Sequence, residues 1–575
     1  MKKFFIRPFF LCIALGLLLV SACSESQPPE TPNVGSNPDL AGHSAEFKQE
    51  MIKVVDGVYV AVGFGLANSV LLVGDDGVVI VDTMESAEAA LPVKEAFNKI
   101  SSKPVKGIIY THYHSDHTQG AVVMAGNDNP EVYSHESTLY YIKRIASVTR
   151  ETTYRRAMRQ FGSLLPGDGL VNCGIGPELK FNENNTIAIL LPTRTFGSDP
   201  FELDIAGLKL VLMHAPGETP DQIFIWLPQK KVLLPADNFY KSFPNLYAIR
   251  GTAYRDVTLW VKSLDKMRRL GAEYLVPHHT RPIIGADKIF ETLTNYRDAI
   301  QYVHDQTIRL MNQGLSPLEI VDRVRLPAHL ARQPYLLEYY GTVPWSVRAI
   351  FDGYLGWFGG NATDLFPLPP TERAKRFMEL AGSEQKLTEH AKQAISKKDY
   401  QWALELCDQL LQIDPESEAV RRLKAEALRS LGSQQIAATA RNYYLTQALE
   451  VENKLQIGMM KIKDKEMVHT VTLAGIFDGM AVNLDPEKSA DVNIVAGFRF
   501  PDAGEAFTVH VRRGVAEIQP VYPTNPDISL TVDSKVWKEV VTGFRNPAVA
   551  LVKDVDKEGG TLKIIKFLSL FKSND

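Results

Sequence analysis

Apolar and polar positions change texture three times along the chain. From Val54 short apolar runs are broken by turns: Gly57 to Val62 and Asn68 to Val73 read as strands, and Gly74-Asp75-Asp76-Gly77 has hairpin chemistry. The run Val78-Val79-Ile80-Val81 is apolar without alternation and ends in Asp82-Thr83, which predicts a strand buried on both faces. Ala87 to Lys99 has helical period, and Gly107-Ile108-Ile109-Tyr110 is again β-type. Strands alternating with helices in this way predict a layered α/β fold. Further on, Ala286 to Asn312 and Leu315 to Val324 have helical period, the second after a Ser-Pro start. Thr371 to Asn453 is helix-rich. After Leu455 period two returns at Phe507 to Arg512 and Ile528 to Val532, followed by a helix at Ser534 to Thr542 and an amphipathic, basic ending, Gly560 to Leu568.

A chain of 575 residues is too long for one core and predicts three or four domains. The net charge of -4 points to no nucleic-acid partner. Met1-Lys2-Lys3 followed by the apolar run Phe9 to Val20 reads as a targeting segment, because the run is shorter than the roughly 20 residues of a spanning helix. Its end, Val20-Ser21-Ala22-Cys23, resembles a bacterial lipobox. The resemblance implies cleavage before Cys23 and a lipid anchor on it; Ser24 in the next position implies the periplasmic face of the outer membrane. Ser24 to Gly42, rich in Pro, Ser, Asn and Gly, predicts a flexible tether. Cys12 leaves with the signal, and Cys173 and Cys407 are expected as free buried thiols.

The densest chemistry lies in Thr111-His112-Tyr113-His114-Ser115-Asp116-His117-Thr118. Three of the chain's 13 histidines fall within six positions beside an aspartate, which argues against a chance polar turn. On an extended backbone His112 and His114 project to the same side, and Asp116 and His117 follow at a turn. Two nitrogens for one ion, and a carboxylate with a nitrogen for a second, suit a pair of metal ions.

The run Asn68 to Thr83, the His-x-His-x-Asp-His motif and the turns after it resemble the metallo-β-lactamase superfamily. The resemblance implies an αββα sandwich with a dinuclear metal site on one edge. It gives Asp82 the role of orienting a metal histidine from behind, against the alternative of a strand-end turn residue. Glu218, in Pro216-Gly217-Glu218-Thr219-Pro220, stands where most of the superfamily has a ligand histidine; a carboxylate also ligates zinc. Asp237, closing Val232 to Asn238, matches the bridging carboxylate. His279, in Pro277-His278-His279, matches the last histidine, with His278 on the family's glycine. His214 precedes its turn inside a predicted strand and is left out. The implied site is His112, His114 and Glu218 on one Zn2+, Asp116, His117 and His279 on the other, and Asp237 between them. Asp237, Glu218 and Asp116 would be the catalytic acids of that site.

Glu218 in place of histidine resembles the alkylsulfatase group. Asn245-Leu246-Tyr247-Ala248-Ile249-Arg250-Gly251 resembles that group's sulfate-binding segment, with Asn245 and Arg250 as the sulfate ligands. A guanidinium fork with an amide beside it is sound oxyanion chemistry. Tyr339 to Val343, Tyr354 to Asn361 and Phe366 to Pro370 continue the likeness. Three departures stand out. Pro344-Trp345-Ser346 occupies the place of the group's proton-donating histidine, Arg159-Gln160-Phe161 replaces tyrosines before Gly162, and Asp237 replaces a glutamate. The resemblance implies a signal peptide at 1–22, a tether at 23–44, and a catalytic domain at 45–325. A helical dimerisation domain follows at 326–454, then a sterol-carrier-like α+β domain at 455–575, whose apolar residues suit either a tunnel or a plain core. The expected activity is dinuclear-zinc hydrolysis of alkyl sulfate esters by a homodimer. The rivals are a phosphodiesterase, lactonase or β-lactamase on the same fold, and a lipid-binding lipoprotein with a structural metal.

Overall fold

The computed structural model describes residues 35–145, 148–182, 184–459 and 465–571. The signal segment and Cys23 lie outside them. Among the described residues no helix is long and apolar enough to cross a membrane.

Two sheets stack face to face. The first has seven strands in chain order: β1 (Glu50–Val55), β2 (Val58–Val62), β3 (Ser69–Val73), β4 (Val78–Val81), β5 (Val105–Ile109), β6 (Glu131–His135) and β7 (Arg194–Phe196). The second has six: β8 (Phe201–Ile205), β9 (Leu208–His214), β10 (Ile223–Leu227), β11 (Val232–Leu234), β12 (Tyr274–Leu275) and β13 (Ile283–Ile284), ordered β13-β12-β11-β10-β9-β8. The unalternating run at β4 has a direct cause. Val79 and Val81 enter the core between the sheets, with Val70, Leu72, Leu210, Leu212 and Ile225. Ile80 faces the other way, onto Ala89, Val93 and Phe97 of the helix Ala87–Ile100. The outer face of the second sheet is covered by Val257–Arg268 and Ala286–Met311 through Trp260, Leu264, Leu293 and Tyr296. Helix, sheet, sheet and helix make the αββα sandwich.

Parallel pairing sets the working edge. β4 runs parallel to β5 and β11 parallel to β12, so their carboxyl ends open on loops rather than hairpins. Asp82, the His112 to His117 loop, Asp237 and His279 all follow those four ends.

The helical region contains Pro370–Ala381, Glu384–Ser396, Tyr400–Ile413, Glu418–Gln434 and Ala438–Val451. The last of these is buried all round, because it is wedged between its neighbours and the helix Arg150–Phe161 of the sandwich. Arg159 there forks onto Glu450 at 2.8 and 2.9 Å. The C-terminal region is a five-stranded sheet ordered β16-β15-β14-β17-β18, from β14 (Asn493–Phe500), β15 (Glu505–Arg512), β16 (Val515–Gln519), β17 (Ile528–Val532) and β18 (Val555–Glu558). Phe477, Phe498, Phe507, Trp537 and Phe567 form its core. Cys173 and Cys407 are free and buried.

Candidate metal centre

The site is built from loops whose backbones are held in uncommon conformations. Asp82, Ala236 and Thr280 have φ of 57°, 53° and 63°. Each costs on the order of 1–3 kcal/mol and persists only where its surroundings dictate it. Gly217 is needed for a different reason: a Cβ there would lie 2.0 Å from Asn238 Oδ1. That amide fixes the Glu218 loop by donating to Ala215 O at 2.8 Å and accepting from Glu218 N at 3.3 Å.

Three imidazoles are oriented from behind by groups that leave no choice of tautomer. Leu66 O can only accept, so His279 donates from Nδ1 to it at 2.9 Å. Asp82 Oδ2 accepts from His117 Nδ1 at 2.6 Å. Thr111 gives its hydroxyl proton to Asp82 at 2.7 Å, so its oxygen accepts from His112 Nδ1 at 3.0 Å. All three rings therefore turn Nε2 inward. Asp82 is the hub of this support, which decides its role in favour of orientation over a turn.

Inward, His117 Nε2 lies 3.3 Å from Asp116 Oδ2 and 3.4 Å from Asp237 Oδ2. His279 Nε2 lies 3.2 Å from Asp237 Oδ2 and 3.6 Å from Asp116 Oδ2. His112 Nε2 is 3.7 Å from Asp237 Oδ2 and 2.9 Å from His114 Nδ1. Ligand-capable atoms converge in triads: Asp116–His117–His279, His112–His117–Asp237 and His114–Glu218–Asp237, the last two sharing Asp237. The first is the expected second-ion set. The expected first-ion set is divided, with His114 and Glu218 in one triad and His112 in another, and Asp237 joins them.

The chemistry of this cluster fits a metal ion. His117 Nε2, Glu218 Oε2 and Asp237 Oδ1 are buried with no hydrogen-bond partner, a costly condition that a cation relieves. Burial alone would lower the pKa of His117, yet Asp237, Asp116 and Asp82 hold it well above the usual value. His279 is likewise raised against burial, chiefly by Asp237. Burial would raise Asp237, but His279 and His117 hold it well below the carboxylate range. The centre thus favours positive charge. Burial, then His117, lowers His112 to about 3, so it stays a neutral imidazole.

His278, next to His279, faces Asp82, and with Asp82 and His117 it forms a fourth group of converging ligand-capable atoms. Its Nδ1 lies 2.7 Å from Asp82 Oδ2, on the side of Asp82 that supports His117. His214 ends β9, with Nε2 on Pro220 O at 2.9 Å and its ring stacked on His135 at 4.0 Å, outside the triads.

Arg250 and Asn245 come from the loop after Asp237. Arg250 is 9% exposed, and its Nη2 donates to His114 Nε2 at 3.1 Å. Its backbone N–H is held by Gln160 Oε1 at 2.9 Å, which gives one departing residue of the 159–161 stretch a task. Asn245 is buried, its N–H donating to the Tyr240 hydroxyl at 2.8 Å. Arg255 escaped the sequence reading. It is buried and ion-paired with Glu218 Oε1 at 2.9 Å, and the only signal for it was a second arginine in the Arg250 loop. Pro344-Trp345-Ser346 forms the first turn of the helix Val343–Leu355, capped by Thr342, so no imidazole enters from there.

Comparison with known proteins follows the same division of the chain. Residues 62–279 match the metallo-beta-lactamase superfamily, 316–454 match alkyl sulfatase dimerisation, and 461–575 match alkyl sulfatase C-terminal. A linear primary-alkylsulfatase from Pseudomonas sp. (strain ATCC 19151) is 39% identical over 87% of this chain and 98% of its own length. An (R)-specific secondary-alkylsulfatase from Pseudomonas sp. is 31% identical over 86% of this chain and 76% of its own. The solved structure of a stereoselective inverting sec-alkylsulfatase from Pseudomonas sp. superposes with a TM-score of 0.86 at 28% identity, covering 94% of this chain and 87% of that one. With relatives aligned along nearly its whole length and a metal-suited His/Asp cluster on the sandwich edge, the chain is a hydrolase belonging to the alkylsulfatase family of the metallo-β-lactamase superfamily.

Proposed function

We propose that the protein is a dinuclear-zinc hydrolase that cleaves alkyl sulfate esters to alcohol and sulfate. Asp116, His117 and His279 would hold one ion, and His114, Glu218 and His112 the other, with Asp237 shared. When bound, the ions supply the Lewis acidity that makes water a nucleophile near neutral pH. The chain's own residues do the rest. Asp82 and Thr111 orient the imidazoles, the buried loops exclude bulk water, and Arg250 with Asn245 receives the sulfate.

The observation that carries this reading is Arg250. It is a buried guanidinium for which, among the described residues, the only side-chain hydrogen bond is to a neutral imidazole and no carboxylate forms an ion pair. A buried unpaired cation is costly and calls for an anion, and the planar fork suits a sulfate. The names of the relatives support the same substrate class.

The test is kcat/KM for dodecyl sulfate beside a neutral ester, with zinc quantified in each sample. Arg250→Ala should lose about ten- to a hundredfold on the sulfate alone, from a charge-assisted contact of roughly 1.5–3 kcal/mol. Arg250→Lys should recover part. Turnover of the neutral ester without the sulfate, in the unmutated enzyme, would hand the case to another hydrolase of this fold.

The same reading includes a homodimer formed through the 316–454 region, supported by its match to alkyl sulfatase dimerisation. It also includes anchoring in the outer membrane, facing the periplasm, through lipidated Cys23, supported by the Val20 to Cys23 sequence. Cys23→Ser should move the protein out of the membrane fraction or leave it unprocessed.

A further inference from the structure

Arg255 has more donors than its observed contacts use. It is 4% exposed. Its Nη1 meets Glu218 Oε1 at 2.9 Å and also donates to the Asn245 carbonyl. Its Nε and Nη2 are buried with no partner. Buried N–H groups are rarely left unpaired, and Nε with Nη2 is a complete bidentate edge of the guanidinium with nothing to grip.

Their position gives the missing acceptor a character. Arg250 touches His114, and Arg255 touches Glu218, and these are two members of one triad. The Asn245 carbonyl takes the Arg255 proton, and the Asn245 N–H is held by the Tyr240 hydroxyl. Both guanidiniums therefore border the Glu218 triad, each touching one of its members, and both act on His114, whose pKa they lower along with burial. A carboxylate has only two oxygens to share between them. A tetrahedral oxyanion ester offers three terminal oxygens, enough for a donor group each. A neutral ester or lactone offers no charge to either arginine.

We propose that Arg255 is a second sulfate-binding residue, forming with Arg250 a two-arginine clamp, while its Nη1 positions Glu218. The proposal deepens the sulfate-ester reading and rests on it for the identity of the substrate. It adds a reason for selectivity: the clamp admits esters of tetrahedral oxyanions and leaves neutral esters unheld.

The test measures binding of inorganic sulfate to the full-length protein by calorimetry, with metal content determined in every sample and KM and kcat for dodecyl sulfate alongside. The unmutated protein should bind sulfate. R255Q should weaken sulfate binding by on the order of tenfold or more and raise KM in parallel. R255K keeps a cation beside Glu218 and loses the fork, so it should retain full metal with intermediate sulfate affinity. Unmutated affinity in R255K and R255Q at full metal content would overturn the clamp. So would a loss of sulfate binding that only tracks lost metal, which would make Arg255 purely structural, or an unmutated protein that binds no sulfate. Sulfate binding by a protein that turns over no alkyl sulfate would refute the proposed activity and leave the clamp standing.

Discussion

Two sheet-built regions of this chain bury opposite kinds of side chain. In the C-terminal region the interior is aromatic and apolar: Phe477 stacks on Phe507 at 4.5 Å and meets Phe498 at 5.0 Å edge-on. In the sandwich the interior between the sheets is also apolar, but one edge buries His112, His114, Asp116, His117, Glu218, Asp237, Arg250, Arg255, His278 and His279 together. Apolar burial stabilises on its own at roughly 25 cal/mol per Å2. Buried charge does not, and the groups here are held by one another or carry buried atoms without a partner. The contrast teaches where function was imposed on a fold that packing alone would not have produced.

The sharpest way to break the contrast is to remove the carboxylate that two triads share. Asp237→Ala should reduce hydrolysis to background with the fold intact by circular dichroism, because three imidazoles lose the carboxylate they face. His114→Ala should do the same. Full activity in either, with metal measured, would refute the assigned centre.

Next is the converse change. Phe477→Ala in the C-terminal core should destabilise that region by about 3–5 kcal/mol in denaturant unfolding, as loss of a fully buried ring does. Metal content should not change. Loss of metal in this variant would show that the two regions are energetically one.

Support from behind the centre should matter less than the ligands. Asp82→Asn cannot hold both His117 and Thr111 as a carboxylate does, and should lower metal affinity or activity by about 10–100-fold. An unchanged affinity, measured against a competing chelator, would reduce Asp82 to a turn residue.

The smallest effect concerns pH. In the metal-free protein burial raises the Glu218 carboxyl from 4.5 to about 7, with Arg255 pulling the other way. A raised carboxyl keeps its proton in the native state where the unfolded chain has lost it, so its contribution to stability falls as pH rises between those values. Metal takes the carboxylate form, so metal affinity should climb over the same window by up to about tenfold per pH unit from this group. Glu218→Gln should lower the proton release on metal binding below pH 7 by about one. Equal release in both proteins would remove Glu218 from the ligand set.

Sequence was informative where chemistry is local. His112, His114, Asp116 and His117 are close enough that backbone geometry alone brings them together, and the unalternating β4 run announced a strand between two cores. Glu218, Asp237 and His279 were legible only through the family's turns, since nothing in their own spacing makes them meet. The metal-site triads, the turning of His278 toward Asp82 beside an inward His279, and the pairing of Arg255 with Glu218 were decided by tertiary structure. The reason is physical: adjacent side chains on a loop diverge, and Arg250 reaches His114 across 136 positions of sequence. Such contacts depend on how the carboxyl ends of β5, β11 and β12 are brought to one edge. That is fixed by the packing of the two sheets and not by any run of residues.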